Sequence, residues 1–315
     1  MRVTAERPRR RRRLGDPVFR TVSLAFALSV IALAVTIFVV LAQQSAPALR
    51  AFGWRFLWTS TWDPVALRFG ALPFVYGTLA TTAIAITIAL PLGLGAAICL
   101  AELMPRRLAD PLTFLIELLV AVPSVVYGLV AVFVLVPLMR DLGQAIVPVL
   151  GFIPIFAGPA YGVGLLTASM VLAVMIVPFI VSVSREVLLA VPQTQRDAAL
   201  ALGATRWETV RDVVVPYARS GILGSIFLAL ARALGETMAV TMVIGNRPEI
   251  AASLFAPSYT MAAVLANEFT EATDKVYLAA LVEIGLVLFV VTLVVNAVAR
   301  LLIASVGATQ RGARA

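Results

Sequence analysis

Two opposite charges stand in the middle of one apolar run. Residues 221–246 read GILGSIFLALARALGETMAVTMVIGN and contain Arg232 and Glu236. If this run enters the membrane near Gly221, Arg232 lies about 16–17 Å deep at 1.5 Å per residue. The middle of a hydrocarbon core is about 15 Å deep. An arginine there costs roughly 2.5–3.5 kcal/mol to insert, so it demands a reason. On a continuous helix the four-residue spacing puts both side chains on one face, where they can pair, although the order with the cation first is the weaker one. Two readings stay open at this point. Arg232 and Glu236 are a neutralised structural pair, or Arg232 lines a polar path for an anion. A guanidinium keeps its proton and offers a donor fork matched to oxyanions. Glu236 would then steady the fork and moderate its charge, and Thr237 and Thr241 would add hydroxyl donors.

Most other chemistry is excluded by composition. The chain has no histidine and one cysteine, Cys99, in an apolar run. Imidazole catalysis, a histidine metal site and an intrachain disulfide are therefore all absent from its repertoire. No phosphate-binding G-x-x-x-x-G-K-[ST] loop occurs and the only lysine is Lys275, so the chain itself is not expected to hydrolyse ATP, to be an enzyme, or to hold a metal or cofactor. Glu117 and Glu283 also lie in apolar runs, five or six residues from an end, and are expected to serve helix ends or interhelical contacts.

A second constellation sits between two apolar runs. Residues 185–220 read REVLLAVPQTQRDAALALGATRWETVRDVVVPYARS. Gln193 to Leu202 are good helix formers, with Pro192 at the start and Gly203 just past the end. Thr205-Arg206-Trp207-Glu208 matches a capping box, so a second helix begins at once, and Pro216 is expected to mark the turn into the next span. The predicted element is helix, glycine bend, helix. It carries Ala198, Leu200, Leu202 and Trp207 beside Arg196, Asp197, Glu208 and Arg211. Either it packs on its own bundle, or another protein receives it.

The elements that must position these residues are membrane spans. Of 315 residues, 61% are hydrophobic and 13% charged, and mean hydropathy is +0.99. Soluble domains run near 45–50% apolar and 25% charged. Six runs are long enough to cross as helices: 21–42, 72–101, 112–139, 162–184, 221–245 and 277–303. The expected class is all-α and polytopic. The first run follows an Arg-rich start and precedes Ala46-Pro47-Ala48, which mimics a signal peptide. At about 22 residues it exceeds the 7–15 of an h-region and is expected to stay as an anchor.

Eighteen of the 25 basic residues fall in segments on one side: 1–20, Arg106 and Arg107, the 185–220 loop, and the C-terminal end. Six fall on the other: Arg50, Arg55, Arg68, Arg140, Arg247 and Lys275. The positive-inside rule puts both termini in the cytoplasm. The net charge of +8 then reads as an anchor at anionic lipid rather than a nucleic-acid surface, since residues 1–20 alone hold eight arginines. Trp54, Trp58, Trp62, Tyr161 and Tyr259 lie outside and are expected to anchor at headgroup level. Residues 143–159, broken by Pro148, Gly151, Pro154, Gly158 and Pro159, read as too interrupted for a span. Pro91, Gly93, Gly95, Pro123 and Pro178 inside the runs are either kinks or packing sites.

Asp197-Ala198-Ala199, with Gly203 after three more residues and Val215-Pro216 beyond, resembles the EAA signature of ABC importer permeases. Asp197 stands for the usual glutamate, and eleven residues rather than nine separate Gly203 from Val215. Arg232-Ala233-Leu234-Gly235-Glu236-Thr237-Met238-Ala239-Val240, Ala121-Val122-Pro123-Ser124-Val125-Val126-Tyr127-Gly128 and Gln195 to Thr205 are similar to the PstC-type permease of phosphate ABC importers. The similarity covers about residues 70–305; the Arg-rich tail 1–20 and the C-terminal tail 306–315 lie outside it.

What the resemblance implies is a type I ABC importer permease fold in the bacterial inner (plasma) membrane. Residues 193–202 would be a coupling helix, with Asp197, Ala198, Ala199 and Gly203 at the docking point, and Arg232, Glu236 and Thr237 would line the path of inorganic phosphate. It further implies two copies of a PstB-type ATPase, a second PstA-type permease and a PstS-type extracytoplasmic phosphate-binding protein. Rival readings keep the architecture for sulfate or molybdate, or make the chain a proton-coupled secondary transporter using Glu236 or Glu283. The latter has no use for the cytoplasmic helix pair and lacks an evident inverted repeat.

Overall fold

The structure is a computed structural model that describes residues 15–312. The Arg-rich stretch 7–13 and the end of the C-terminal tail lie outside the described residues. Long apolar runs fold as helices because a helix satisfies every backbone polar group within its own segment, where no water can. The order is α1 (Gly15–Phe52), α2 (Leu72–Ile98), α3 (Arg106–Ala121), α4 (Ser124–Val130), α5 (Val136–Leu150), α6 (Leu165–Leu189), α7 (Gln193–Ala201), α8 (Arg206–Thr209), α9 (Val215–Leu234), α10 (Met238–Thr241), α11 (Met261–Glu268) and α12 (Lys275–Gly312). Among the described residues there is no β-strand, only two isolated bridges.

Six helical stretches are long and apolar enough to cross a membrane: Pro17–Leu57, Leu72–Leu103, Ser124–Leu150, Leu165–Leu189, Arg206–Leu234 and Lys275–Leu301. The chain is a multi-pass membrane protein. α6 is the central helix and the most enclosed of the six. Of three apolar clusters, two include α6 residues. One joins Ala85 and Ala89 of α2, Leu172 and Ile176 of α6, and Ala229 and Ala233 of α9. One without α6 residues gathers Phe56, Phe69, Phe74, Tyr259 and Leu281, and one toward the Leu189 end of α6 gathers Ala97, Val181, Leu188, Val214 and Ile222. Gly93 is a packing site rather than a kink, because a Cβ there would stand 2.8 Å from Ile180.

The third crossing departs from the expected single run. α3 stops at Val122-Pro123, because Pro123 has no N–H to give the carbonyl of Leu119 four residues earlier and disfavours helix just before it. The Tyr127 hydroxyl donates to that carbonyl at 2.8 Å and repairs the gap. α6 serves as a ruler: Asp110 pairs with Arg185 near its inner end, and the Val136 carbonyl lies against Gly162 beyond its outer end. Residues 110–136 thus make the crossing. Helix then continues to Leu150 and includes Gly143 and Pro148 without adding a seventh span. Only residues 151–164 are irregular, apart from a turn of 3-10 helix at Pro154–Phe156.

α1 runs unbroken through Ala46-Pro47-Ala48 and packs along α12, with Phe38 and Phe289 5.9 Å apart. Most of its surface through the apolar run is exposed, as suits a helix bathed in lipid. Trp62 and Tyr259 do not anchor at headgroups as expected. Trp62 stacks edge-on against Phe69 at 4.7 Å and Phe74 at 4.8 Å and donates to Glu268 at 2.8 Å, while Tyr259 is buried and accepts from Asn267. Trp54, Trp58 and Tyr161 are exposed.

Candidate functional site

α9 runs antiparallel to α6, and two contacts set the register. Gly221 backs onto Val187, and the hydroxyls of Ser225 and Ser184 are 2.8 Å apart. Counting outward from these pairs brings Arg232 level with residues 176–177, the middle of α6. The midplane depth read from sequence is therefore the depth in the fold.

The pairing read from sequence is not. α9 ends at Leu234, and Gly235 is its C-cap, so the fifth run is not one helix to residue 245. Arg232 occupies the last turn, at the negative end of the helix dipole. Glu236 lies beyond the break, its N–H on the Ala233 carbonyl at 3.4 Å. Its carboxylate turns away and accepts the N–H of Ala239 at 3.3 Å. Among the described residues no ion pair joins Arg232 to Glu236, because the i,i+4 geometry needs a helix that the Gly235 break removes. The expected hydroxyl donors are engaged as well: Thr237 donates to the Gly235 carbonyl at 3.2 Å and Thr241 to that of Thr237 at 2.7 Å. Both keep oxygen lone pairs free.

Past the break, α10 leads to Val243, whose carbonyl takes the Gly164 N–H at 2.9 Å at the outer end of α6. α10 sits tight against α4, where a Cβ on Gly128 would stand 2.6 Å from Met242 Sδ. That packing brings Tyr127 within electrostatic reach of Arg232. The Arg232 side chain is exposed, and no hydrogen bond holds it among the described residues. The arrangement is a fixed cation at mid-height, beside a helix break and a tyrosine whose hydroxyl proton is already committed.

The loop between α6 and α9 folds as helix, glycine bend, helix. α7 spans Gln193–Ala201 behind Pro192, and Gly203 adopts φ +90° in open space. That left-handed backbone suits glycine, and no crowding adds to the demand. The Thr205–Glu208 capping box is present in both directions. The backbone N–H and hydroxyl of Thr205 hold the Glu208 carboxyl below the usual range. Pro216 does not make a turn, since helix continues from Arg206 to Leu234. A wider π-turn at Val210–Val214 precedes the proline and accommodates the ring and the missing donor.

Sequence alone missed how this loop is tied down. Arg196 makes a fork onto Glu102, with Nη2 2.6 Å from Oε1 and Nε 3.2 Å from Oε2. It also donates to the carbonyls of Leu188, at 2.8 Å, and Val191. Glu102 belongs to a π-turn, Cys99–Leu103, that ends the second span. Both charged groups are about nine-tenths buried. Asp197, by contrast, faces outward and accepts only from Gln193, at 3.1 Å. Ala198 and Gly203 are exposed and Ala199 half-buried. Leu202 and Trp207 are exposed too. The two readings of the loop coexist: one face is latched to the bundle and the other is bare. The signal available in sequence was Glu102, an acid just before the Met104-Pro105 break.

Glu117 is exposed on α3, and Glu283 is buried on α12 with Oε2 unpartnered. Among the described residues there is no cluster of acids and thiols able to hold a metal.

Residues 89–307 match the family model of the binding-protein-dependent transport system inner membrane component. The chain is 46% identical over 304 residues to the phosphate transport system permease protein PstC of Mesorhizobium japonicum, covering 95% of this chain and 93% of that one. The PstC protein of Haemophilus influenzae is 44% identical over 300 residues, covering 94% and 95%. Among solved structures, the fold matches a chain of the inward-facing MetNI methionine ABC transporter with a TM-score of 0.57. The match has 16% identity and covers 78% of this chain and 99% of that one.

Proposed function

The chain belongs to the binding-protein-dependent transport inner membrane components, and we propose that it serves there as a permease subunit of an ATP-driven importer of inorganic phosphate. The observation that carries this reading is Arg232: a guanidinium at mid-height of the bundle, exposed and without a carboxylate partner. Such a group is expensive in a membrane unless a path reaches it. It offers a donor fork to an oxyanion, and the α9 C-terminus steadies its positive charge. Glu236 is held by a backbone amide one turn on, close enough to temper the site and not so close as to fill it. Thr237 adds a hydroxyl oxygen that accepts from a protonated phosphate.

Permeases of this family do not hydrolyse ATP; a separate ATPase does. In this chain the α7 to α9 loop is the coupling element. Asp197, Ala198 and Ala199 form its outward docking face, and Gly203 turns the chain back. The Arg196–Glu102 latch passes motion of α7 to the second span, because a buried forked ion pair makes the two segments move together. The remaining partners are a second, PstA-type permease that completes the path, two copies of a PstB-type ATPase and a PstS-type binding protein outside. The charge distribution supports cytoplasmic termini.

The test is phosphate uptake by the assembled complex carrying Arg232→Gln. Uptake is expected to fall below detection while assembly and membrane insertion persist. Normal uptake would remove Arg232 from the path. Retained phosphate uptake that excess sulfate abolishes would move the reading to another oxyanion.

A further inference from the structure

A polar cavity of about 690 Å³ opens on the cytoplasmic side, far from Arg232. It lies between the start of α3, the end of α6 and the coupling loop. Its charged lining is Arg106, Arg185, Arg196 and Arg206 against Glu102 and Asp110. Four cations and two anions leave a net +2.

The four arginines are not equivalent. Arg196 is consumed by Glu102 and two carbonyls. Arg185 gives Nη2 to Asp110 at 3.3 Å, but its Nε is fully buried with no acceptor. A buried donor left unmatched costs free energy and calls for a partner that comes and goes. Arg106 and Arg206 are exposed and have no carboxylate within pairing distance among the described residues. Three guanidinium groups from three separate elements therefore converge on one cavity with donors to spare.

We propose that this cavity is a second anion site, which takes a phosphate group at the cytoplasmic face. A phosphate monoester or orthophosphate carries about −1.5 to −2 at pH 7, which matches the surplus of charge. It brings three or four acceptor oxygens, enough for several forks at once, whereas a carboxylate brings two and the cavity already holds two carboxylates. The group has two possible sources, free orthophosphate in the cytoplasm or the monoester headgroup of phosphatidic acid in the inner leaflet beside α3. Either would sit against α7 and the Arg196–Glu102 latch, where occupancy bears on coupling rather than on the membrane path.

The test uses the assembled importer in phospholipid-free maltoside micelles, with Arg232→Gln in every sample and the ATPase sites filled with ADP. One arm measures equilibrium binding of radiolabelled orthophosphate. The other adds phosphatidic acid and counts retained lipid by native mass spectrometry. Arg106→Gln with Arg206→Gln is expected to weaken one of these by about tenfold or more, since two charge-assisted donors are lost. Asp110→Asn is expected to tighten the same ligand by freeing Arg185, a gain that misfolding would not produce. Loss confined to orthophosphate assigns the free anion, and loss confined to the lipid assigns the headgroup. If neither ligand responds to these substitutions, the site is overturned. Because Arg232 is absent throughout, the outcome is independent of whether phosphate passes along α9.

Discussion

Arg196 and Arg232 are 36 residues apart and have opposite fates. Arg196 is a buried side chain whose donors are taken up by one carboxylate and two carbonyls. Arg232 is exposed at mid-height, and its candidate partner faces elsewhere. The first arginine is a fastener; the second is left free, as the proposed anion path requires. What separates them is not residue type. It is whether the backbone around each one brings a carboxylate within reach. At Arg196 a π-turn delivers Glu102 from a remote span, and at Arg232 a helix break takes the neighbouring Glu236 away.

The sharpest way to break this contrast is to change the free arginine while leaving its charge. Arg232→Lys keeps the cation and loses the fork, so phosphate uptake is expected to fall by about tenfold or more while the complex remains intact. Uptake equal to that of the unaltered complex would show that a point charge suffices there.

The fastener should fail differently. Glu102→Ala leaves a buried guanidinium unpaired, which costs about 3–5 kcal/mol. Thermal unfolding of the complex should come at lower temperature, and ATP hydrolysis should no longer drive uptake. Replacing both partners, Glu102→Met with Arg196→Met, should recover much of the stability and none of the coupling. Recovery of both would reduce the latch to packing.

Smaller changes refine the picture. Tyr127→Phe leaves the Leu119 carbonyl with only the Val122 N–H at 3.3 Å and is expected to cost about 0.5–1.5 kcal/mol, read as a lowered unfolding temperature. It should leave ATPase coupling unaffected, because the break at Pro123 belongs to the path side of the molecule.

The smallest effect is at the capping box. Thr205 lowers the carboxyl pKa of Glu208 chiefly through its backbone N–H, then through its hydroxyl. A depressed acid contributes stability above the ordinary glutamate range and loses it as pH falls through the lowered folded value. Glu208→Gln, which removes the titrating group, should therefore flatten the acid side of the stability profile of the complex. An unchanged slope would show the box to be idle.

Much of the fold was legible in the sequence because lipid imposes one solution on an apolar run of sufficient length. Glycine, proline and the Thr205–Glu208 spacing also placed the helix pair between the fourth and fifth spans to within a residue, since capping is local chemistry. The depth of Arg232 followed from counting residues. Its isolation did not, because the four-residue rule assumes a continuous helix and Gly235 ends this one. Trp62 was misplaced for a related reason: an indole in an outer loop reads as a headgroup anchor until folding supplies Glu268 and two phenylalanine rings.

The sequence by itself determined that this chain lives in a membrane, crosses it six times, bears a helix pair between its fourth and fifth spans and hides one arginine at mid-depth. Those properties depend on length, composition and local capping, which need no partner from elsewhere in the chain. The tertiary structure alone decided which charges meet. It brought Glu102 to Arg196 across 94 residues, held Glu236 away from Arg232, and gathered Arg106, Arg185 and Arg206 around one cavity. Ion pairing falls off within a few ångströms in a screened medium, so small differences in backbone path, invisible along the chain, settle whether an arginine fastens the fold or waits for an anion.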